Sequence, residues 1–155
     1  MTVANDNNRN IGLAAIYFFL STVITWWFID CGSSLYQFDQ HKMMLSCSIA
    51  GAKWAIQIFG ALLFLKEKRW IFIRNIAATC FVGSCILLPF CFASLRAVIP
   101  GKPFLSSLIA SVAVMIAHYY YGVRKSGVPV KWYFLWLACL AVAISLQLTV
   151  VFHLI

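Results

Sequence analysis

One lysine inside a long apolar run has the most unusual surroundings in this 155-residue chain. Lys53 lies ten residues into the stretch Met43–Leu65, so a helix places it about 15 Å deep, near the middle of a bilayer. A charge at that depth costs about 2.5–3.5 kcal/mol on insertion scales. The residues that share its helical face are polar or small: Ser46, Ala50, Gln57 and Gly60. We therefore expect this stripe to face protein or a water-filled cavity rather than lipid.

Two interpretations of Lys53 remain open. In the first, Lys53 binds an anion or exchanges a proton, because charged residues inside membranes commonly mark ion and substrate pathways. In the second, it pairs with a backbone carbonyl or a partner subunit and only fixes assembly. In the functional interpretation, Lys53, Gln57 and Ser46 line a cavity. Three polar residues of the next outer connection would rim its mouth: Asp30, Asp39 and His41.

The same connection contains residue types that bind metal ions. Asp39 and His41 are two residues apart, and Asp30 precedes them. Carboxylates and imidazole suit hard or borderline metals. However, this spacing matches no specific metal motif, and polar loops usually contain such residues. We expect neither a metal nor a cofactor here.

Cysteines suggest a second kind of chemistry. The chain has six, and Cys31, Cys47 and Cys91 all project to the outer level of the predicted helices. They could form a disulfide in an oxidising compartment, or serve a thiol enzyme that passes electrons to a quinone. No C-x-x-C sequence, the usual redox spacing, is present. Cysteine is also a common small residue in packed helices, so all three interpretations remain open.

Signatures of most other enzymes are missing. The chain has no glycine-rich phosphate loop and no H-E-x-x-H sequence, and it has only four carboxylates. Acid–base and metal-assisted catalysis normally need more. His118 and His153 fall at opposite predicted depths, which disfavours a haem held between them. We expect His118 to make polar contacts instead, and the chain as a whole to be non-enzymatic.

The elements that would position these residues are five apolar stretches. A hydrocarbon core of about 30 Å needs about 20 apolar residues to cross it. With 63% hydrophobic and 10% charged residues, the chain is unlike a soluble domain, of which about 25% is charged. Unbroken apolar runs also exclude barrel strands. The sequence predicts an all-α integral membrane protein, one membrane domain over residues 1–155 without a soluble domain. Its five transmembrane helices are Ile11–Ile29, Met43–Leu65, Trp70–Leu95 (with a kink near Pro89), Pro103–Gly122 and Lys131–His153.

Basic residues divide unequally between the two predicted faces. Eight Lys and Arg lie on the N-terminal side and three on the other. Short loops rich in Lys and Arg stay cytoplasmic, so we expect the N-terminus inside and the C-terminus outside, with the bacterial inner membrane as the location. Attraction of this face to anionic lipid accounts for most of the net charge of +8. We therefore expect membrane lipid as a partner, and no nucleic acid.

Function follows only coarsely from these features. We expect a protein that binds or passes a small solute or ion through a cavity lined by the second helix, or an accessory subunit of a membrane complex. Five spans cannot form two equal inverted halves, although a homo-oligomer could supply symmetry. The alternative is a membrane thiol or quinone oxidoreductase that uses Cys31, Cys47 and Cys91.

Overall fold

Long helices account for nearly all of the chain. A computed structural model describes residues 2–36, 40–94 and 101–151, and all regular structure in these ranges is helical. The predicted all-α fold is therefore confirmed. The elements are α1 (Thr2–Tyr36), α2 (Gln40–Phe64), a one-turn 3-10 helix (Lys66–Lys68), α3 (Arg69–Cys85), α4 (Leu88–Ser94), α5 (Gly101–Ser126) and α6 (Lys131–Val151).

Three helical stretches within the described ranges are long and apolar enough to cross a membrane, judged by length and composition. They are Asp6–Cys31, Met44–Phe64 and Lys66–Ala93. Phe134–Gln147 is apolar but shorter. Three of the five predicted spans thus meet the criterion.

Two helices extend well beyond the apolar runs that predicted them. The first begins at Thr2 rather than Ile11 and has 35 residues, about 52 Å at the usual rise. In its polar first part, Arg9 forms an ion pair with Asp6 at 3.3 Å, one turn away. The fourth predicted span continues to Ser126, where Gly127 adopts a left-handed φ of 66°. Glycine ends a helix readily in this conformation because it has no Cβ to clash.

The third predicted span is interrupted rather than continuous over Trp70–Leu95. Helix α3 ends at Cys85 and α4 begins at Leu88. Pro89 lacks the N–H that would reach back to the carbonyl of Cys85. The intervening residues close tighter turns instead, with Leu87 N donating to Ser84 O at 2.9 Å. The helix is therefore interrupted next to Pro89, where the sequence predicted only a kink.

Helix α3 lies at the centre of the bundle. Half of the apolar window of Lys66–Ala93 is buried, against 17% and 11% in the first two windows. Helix α1 packs beside α3 in the same direction, as the contacts Tyr17–Phe81 and Phe28–Phe90 indicate. Helix α5 packs on α3 in the opposite direction. This arrangement places the largest buried side chains between α3, α5 and α6: Phe72, Ile76, Tyr119 and Trp136.

Helix α2 pairs mainly with α6, and the two run antiparallel. At one end, Gln147 Nε2 donates to the carbonyl of Ser46 at 3.2 Å and lies 3.4 Å from its hydroxyl. At the other end, the backbone of Gly60 lies against the Trp132 ring, which a Cβ would meet at 3.5 Å. These two contacts fix the register of the pair along the stripe predicted from the sequence.

Candidate functional site

A groove between α2 and α6 contains Lys53. Its cavity volume is about 320 Å³, at the lower end of the range for small-molecule sites. Apart from Lys53 and Cys139, the lining residues are aliphatic: Ile49, Ala52, Ile56, Ala138, Val142, Ala143 and Leu146. Several of these side chains are exposed at the rim, among them Ile56 at 58% and Val142 at 60%. The groove is therefore accessible from the side of the bundle.

The Lys53 side chain is only partly exposed. Its ammonium lies 4.5 Å from the centre of the Trp54 ring. Cys139 of α6 lines the same groove. Among the described residues, no carboxylate pairs with Lys53. Lys53 thus lines the groove without a carboxylate beside it that would balance a charge on its ammonium.

Gln57, one helical turn beyond Lys53, is almost fully buried, with 1% of its surface exposed. Neither its amide nitrogen nor its amide oxygen has a hydrogen-bond partner in the described structure. The indole nitrogen of Trp136 on α6 is also buried and unpartnered. The register set at Ser46 and Gly60 puts Gln57 opposite Trp136. Since buried polar groups are nearly always hydrogen-bonded, this level of the α2–α6 contact suits a bound water or ligand polar group.

The three residues predicted to line a cavity together occupy different surroundings. Lys53 lines the groove, Gln57 is enclosed next to it, and Ser46 is engaged by Gln147 on α6. All three nevertheless share one helical face of α2. On that face Ser46 bonds to α6, and Lys53 lines the groove together with α6 residues.

The structure describes two of the three residues predicted to rim the cavity mouth. Asp30 is exposed on α1 and His41 is exposed in the first turn of α2, while Asp39 lies outside the described residues. Among the described residues, no three or more His, Cys, Asp or Glu side chains are grouped so that they could hold a metal ion.

The outer cysteines separate into a pair and a single residue. Cys31 on α1 packs against a cluster formed by Phe28, Leu87, Phe90 and Cys91. The thiol of Cys31 is a hydrogen-bonding neighbour of the Cys91 thiol on α4. Cys47 lies on α2 and is not part of this cluster. No disulfide joins any of the six cysteines, all of which lie in the described residues.

Sequence reasoning missed a polar cluster between the N-terminal part of α3 and its neighbours. The Arg74 guanidinium donates to Asn10 Oδ1 at 2.8 Å and to Asn75 Oδ1 at 3.3 Å. One turn further, Thr79 Oγ1 and His118 Nδ1 are 2.9 Å apart, which confirms the polar contact expected for His118. Asn75 and Thr79 are four residues apart and share one helical face. This four-residue spacing was the sequence signal that could have revealed the polar cluster.

A second set of hydroxyl contacts continues toward the α3–α4 break. Ser21 and Ser84 hydroxyls are 2.8 Å apart, and both residues are buried. Ser111 donates to the carbonyl of Gly83 at 2.7 Å. These contacts join α1, α3 and α5 through neutral groups. They are typical of helix packing in lipid, where small residues and hydroxyls replace the hydrophobic drive.

Comparison with known proteins assigns no family to this fold. No protein-family model, curated protein or solved structure matches the chain. Functional inference therefore rests on the α2–α6 groove, the thiol pair and the polar contacts of α3.

Proposed function

We propose that this chain is a five-span membrane protein that binds a small anionic amphiphile in the α2–α6 groove. Membrane insertion is supported by the apolar side chains that the bundle exposes, including Phe19 at 68%, Leu63 at 72% and Phe64 at 71%. Large exposed apolar surfaces are rare on soluble monomers. Helices α5 and α6, with 26 and 21 residues, also have the length that a bilayer requires.

The proposed orientation puts the N-terminus in the cytoplasm and the C-terminus outside, in a bacterial inner membrane. It rests on the excess of Lys and Arg at one end. Contacts in the structure are consistent with a common face for these basic segments. Lys68 Nζ donates to Gly127 O at 2.8 Å, so the two basic connections lie side by side.

The observation that carries the binding proposal is the presence of Lys53 among the residues that line an apolar groove. In lipid, an alkyl chain could occupy the aliphatic lining while an anionic group met the ammonium. The Trp54 ring supplies only a cation–π contact, worth about 0.5–2 kcal/mol. An anion would add a charge-assisted hydrogen bond of about 1.5–3 kcal/mol. The ligand class is therefore a carboxylate or phosphate attached to a short apolar body.

Access also favours binding over passage through the protein. The rim residues of the groove are exposed on the side of the bundle, so a membrane-dissolved ligand would enter laterally. The rival role is that of an accessory subunit, with a partner helix filling the groove and presenting a carboxylate to Lys53. The same experiment addresses both roles.

Binding of decanoate and 1-decanol to the purified full chain tests the proposal, because the two ligands differ only in the charged end. Tryptophan fluorescence in a zwitterionic detergent reports the binding, since Trp54 adjoins Lys53. We expect decanoate to bind roughly 10-fold or more tightly, as 1.4 kcal/mol is a factor of ten. Lys53→Met should abolish this preference and retain decanol binding.

Lys66→Met is the matched control, because Lys66 is exposed in the connection between α2 and α3 and should leave the preference unchanged. Equal affinity of the wild-type chain for both ligands would refute the proposal without requiring any variant to fold. Native mass spectrometry of gently extracted material adds the other outcome. A stoichiometric partner chain, together with no decanoate binding, would replace the ligand with a partner helix.

A further inference from the structure

The thiols of Cys31 and Cys91 form a second potential site, remote in sequence and independent of the α2–α6 groove. Sixty residues separate them, yet the two side chains are hydrogen-bonding neighbours. They belong to an aromatic corner in which Phe28 and Phe90 rings lie 5.3 Å apart. We propose that Cys31 and Cys91 are a redox-active dithiol that exchanges with a disulfide substrate.

The two thiols differ in accessibility, and this difference assigns their roles. Cys91 is fully buried, with 0% of its surface exposed, whereas Cys31 is partly exposed near the end of α1. An incoming disulfide therefore reaches Cys31 first. Cys91 is then in place to resolve the intermediate from the protein side.

The exchange needs no other reactant than the disulfide RS–SR. The Cys31 thiolate attacks one sulfur, a mixed disulfide forms and RS⁻ leaves. The Cys91 thiol then loses its proton and attacks Cys31 Sγ, which releases the second RS⁻. The protons from the two protein thiols convert both leaving groups to RSH. Two protein thiols are thus oxidised to one disulfide, and one external disulfide is reduced to two thiols.

The cysteine pair lies where a covalent bond would attach the short helix α4 to α1. Helix α4 has only seven residues and is separated from α3 by the break at Pro89. Noncovalent contacts hold it to α1, including Trp27 against Phe92 with ring centres 5.1 Å apart. A Cys31–Cys91 disulfide would join the same two helices covalently. If the outer orientation is correct, this corner faces the oxidising side, where disulfides persist.

Exposure of the purified full chain to oxidised glutathione tests the dithiol. We expect peptide mass mapping to identify a Cys31–Cys91 disulfide, and maleimide titration after denaturation to find four of the six cysteines still reactive. In Cys91→Ser the second step is blocked, so glutathione should remain attached to Cys31. Reduction by excess thiol should restore all six reactive groups in the wild-type chain.

Cys85→Ser is the matched control, since Cys85 precedes Cys91 by six residues across the helix break and should not alter the outcome. A disulfide between Cys31 and Cys47, or six unmodified thiols after oxidation, would overturn the assignment. Disulfide mapping of the wild-type chain tests the proposal even if a variant fails to fold. Decanoate binding can fail while the disulfide forms, and the reverse, so the two proposals are separable.

Discussion

At the scale of single residues, polar side chains fall into satisfied and unsatisfied groups according to their neighbours. Arg74, Thr79 and Ser111 each find a hydrogen-bond partner across a helix interface. Gln57 is buried as deeply as Thr79 and Ser111, but its amide has no hydrogen-bond partner in the described part of the chain. An unmet buried amide costs about 1–3 kcal/mol. This unsatisfied amide lies beside the groove, where a ligand or a bound water would supply the missing hydrogen bonds.

Gly83 is a second residue whose role depends on close approach. A Cβ at this position would collide with the Met115 side chain of α5 and lie 3.2 Å from Ser111 Oγ. We expect Gly83→Ala to destabilise the bundle by about 1–3 kcal/mol, because overpacking forces α3 and α5 apart. Denaturation of the detergent-solubilised chain, followed by circular dichroism, measures the change.

Gly51→Ala is the matched comparison, since a Cβ there meets nothing within 4 Å. It should leave stability unchanged or raise it by up to about 1 kcal/mol, because alanine favours helix. Equal effects of the two substitutions would contradict the close packing of α3 on α5.

At the scale of elements, specific side-chain contacts between helices, and not their hydropathy, determine which helices pack together. Helices α1, α3 and α5 share hydroxyl contacts and a central core. Helix α2 instead lies along α6, with its polar stripe inside the contact. The stripe explains this choice: small and polar side chains at helical spacing allow close approach and hydrogen bonding. The groove forms where the two helices are lined by alanines around Lys53.

The register of α2 on α6 can be tested by cross-linking. In a chain with the native cysteines replaced by serine, Ser46→Cys with Gln147→Cys should form a disulfide under mild oxidation, because the two side chains are in contact. Ser46→Cys with Ser145→Cys should not, since Ser145 is exposed and bonded within its own helix to Ala141. Non-reducing electrophoresis after proteolysis between the helices gives the yield. Efficient linkage of the second pair would show a different register.

At the scale of the whole molecule, charge and apolar surface are segregated. The basic residues concentrate toward the connections next to Lys68 and Gly127, whereas the flanks of the bundle expose aliphatic and aromatic side chains. A bilayer accommodates both, with apolar flanks in acyl chains and cations at the anionic headgroups. The concentration of basic residues at one end also predicts on which side of the membrane each connection lies.

Topology mapping tests that division directly. Single cysteines at positions 66 and 125, in a chain whose native cysteines are serines, should be protected from an impermeant maleimide in intact spheroplasts. A cysteine at position 42 should be labelled. Positions 66 and 125 should show little labelling in intact spheroplasts and full labelling after detergent permeabilisation. Labelling of position 66 before permeabilisation would reverse the proposed orientation.

By itself, the sequence determined the helical class, the approximate helix positions, a bend near Pro89 and the polar stripe on α2. Each depends on local spacing or composition, which tertiary contacts leave unchanged. Only the tertiary structure decided that Cys31 meets Cys91 while Cys47 does not, and that Arg74 is held by Asn10 and Asn75. Such pairings depend on the relative rotation and depth of whole helices. Hydropathy constrains depth to within a turn or so and rotation hardly at all, because lipid-facing and protein-facing residues are equally apolar.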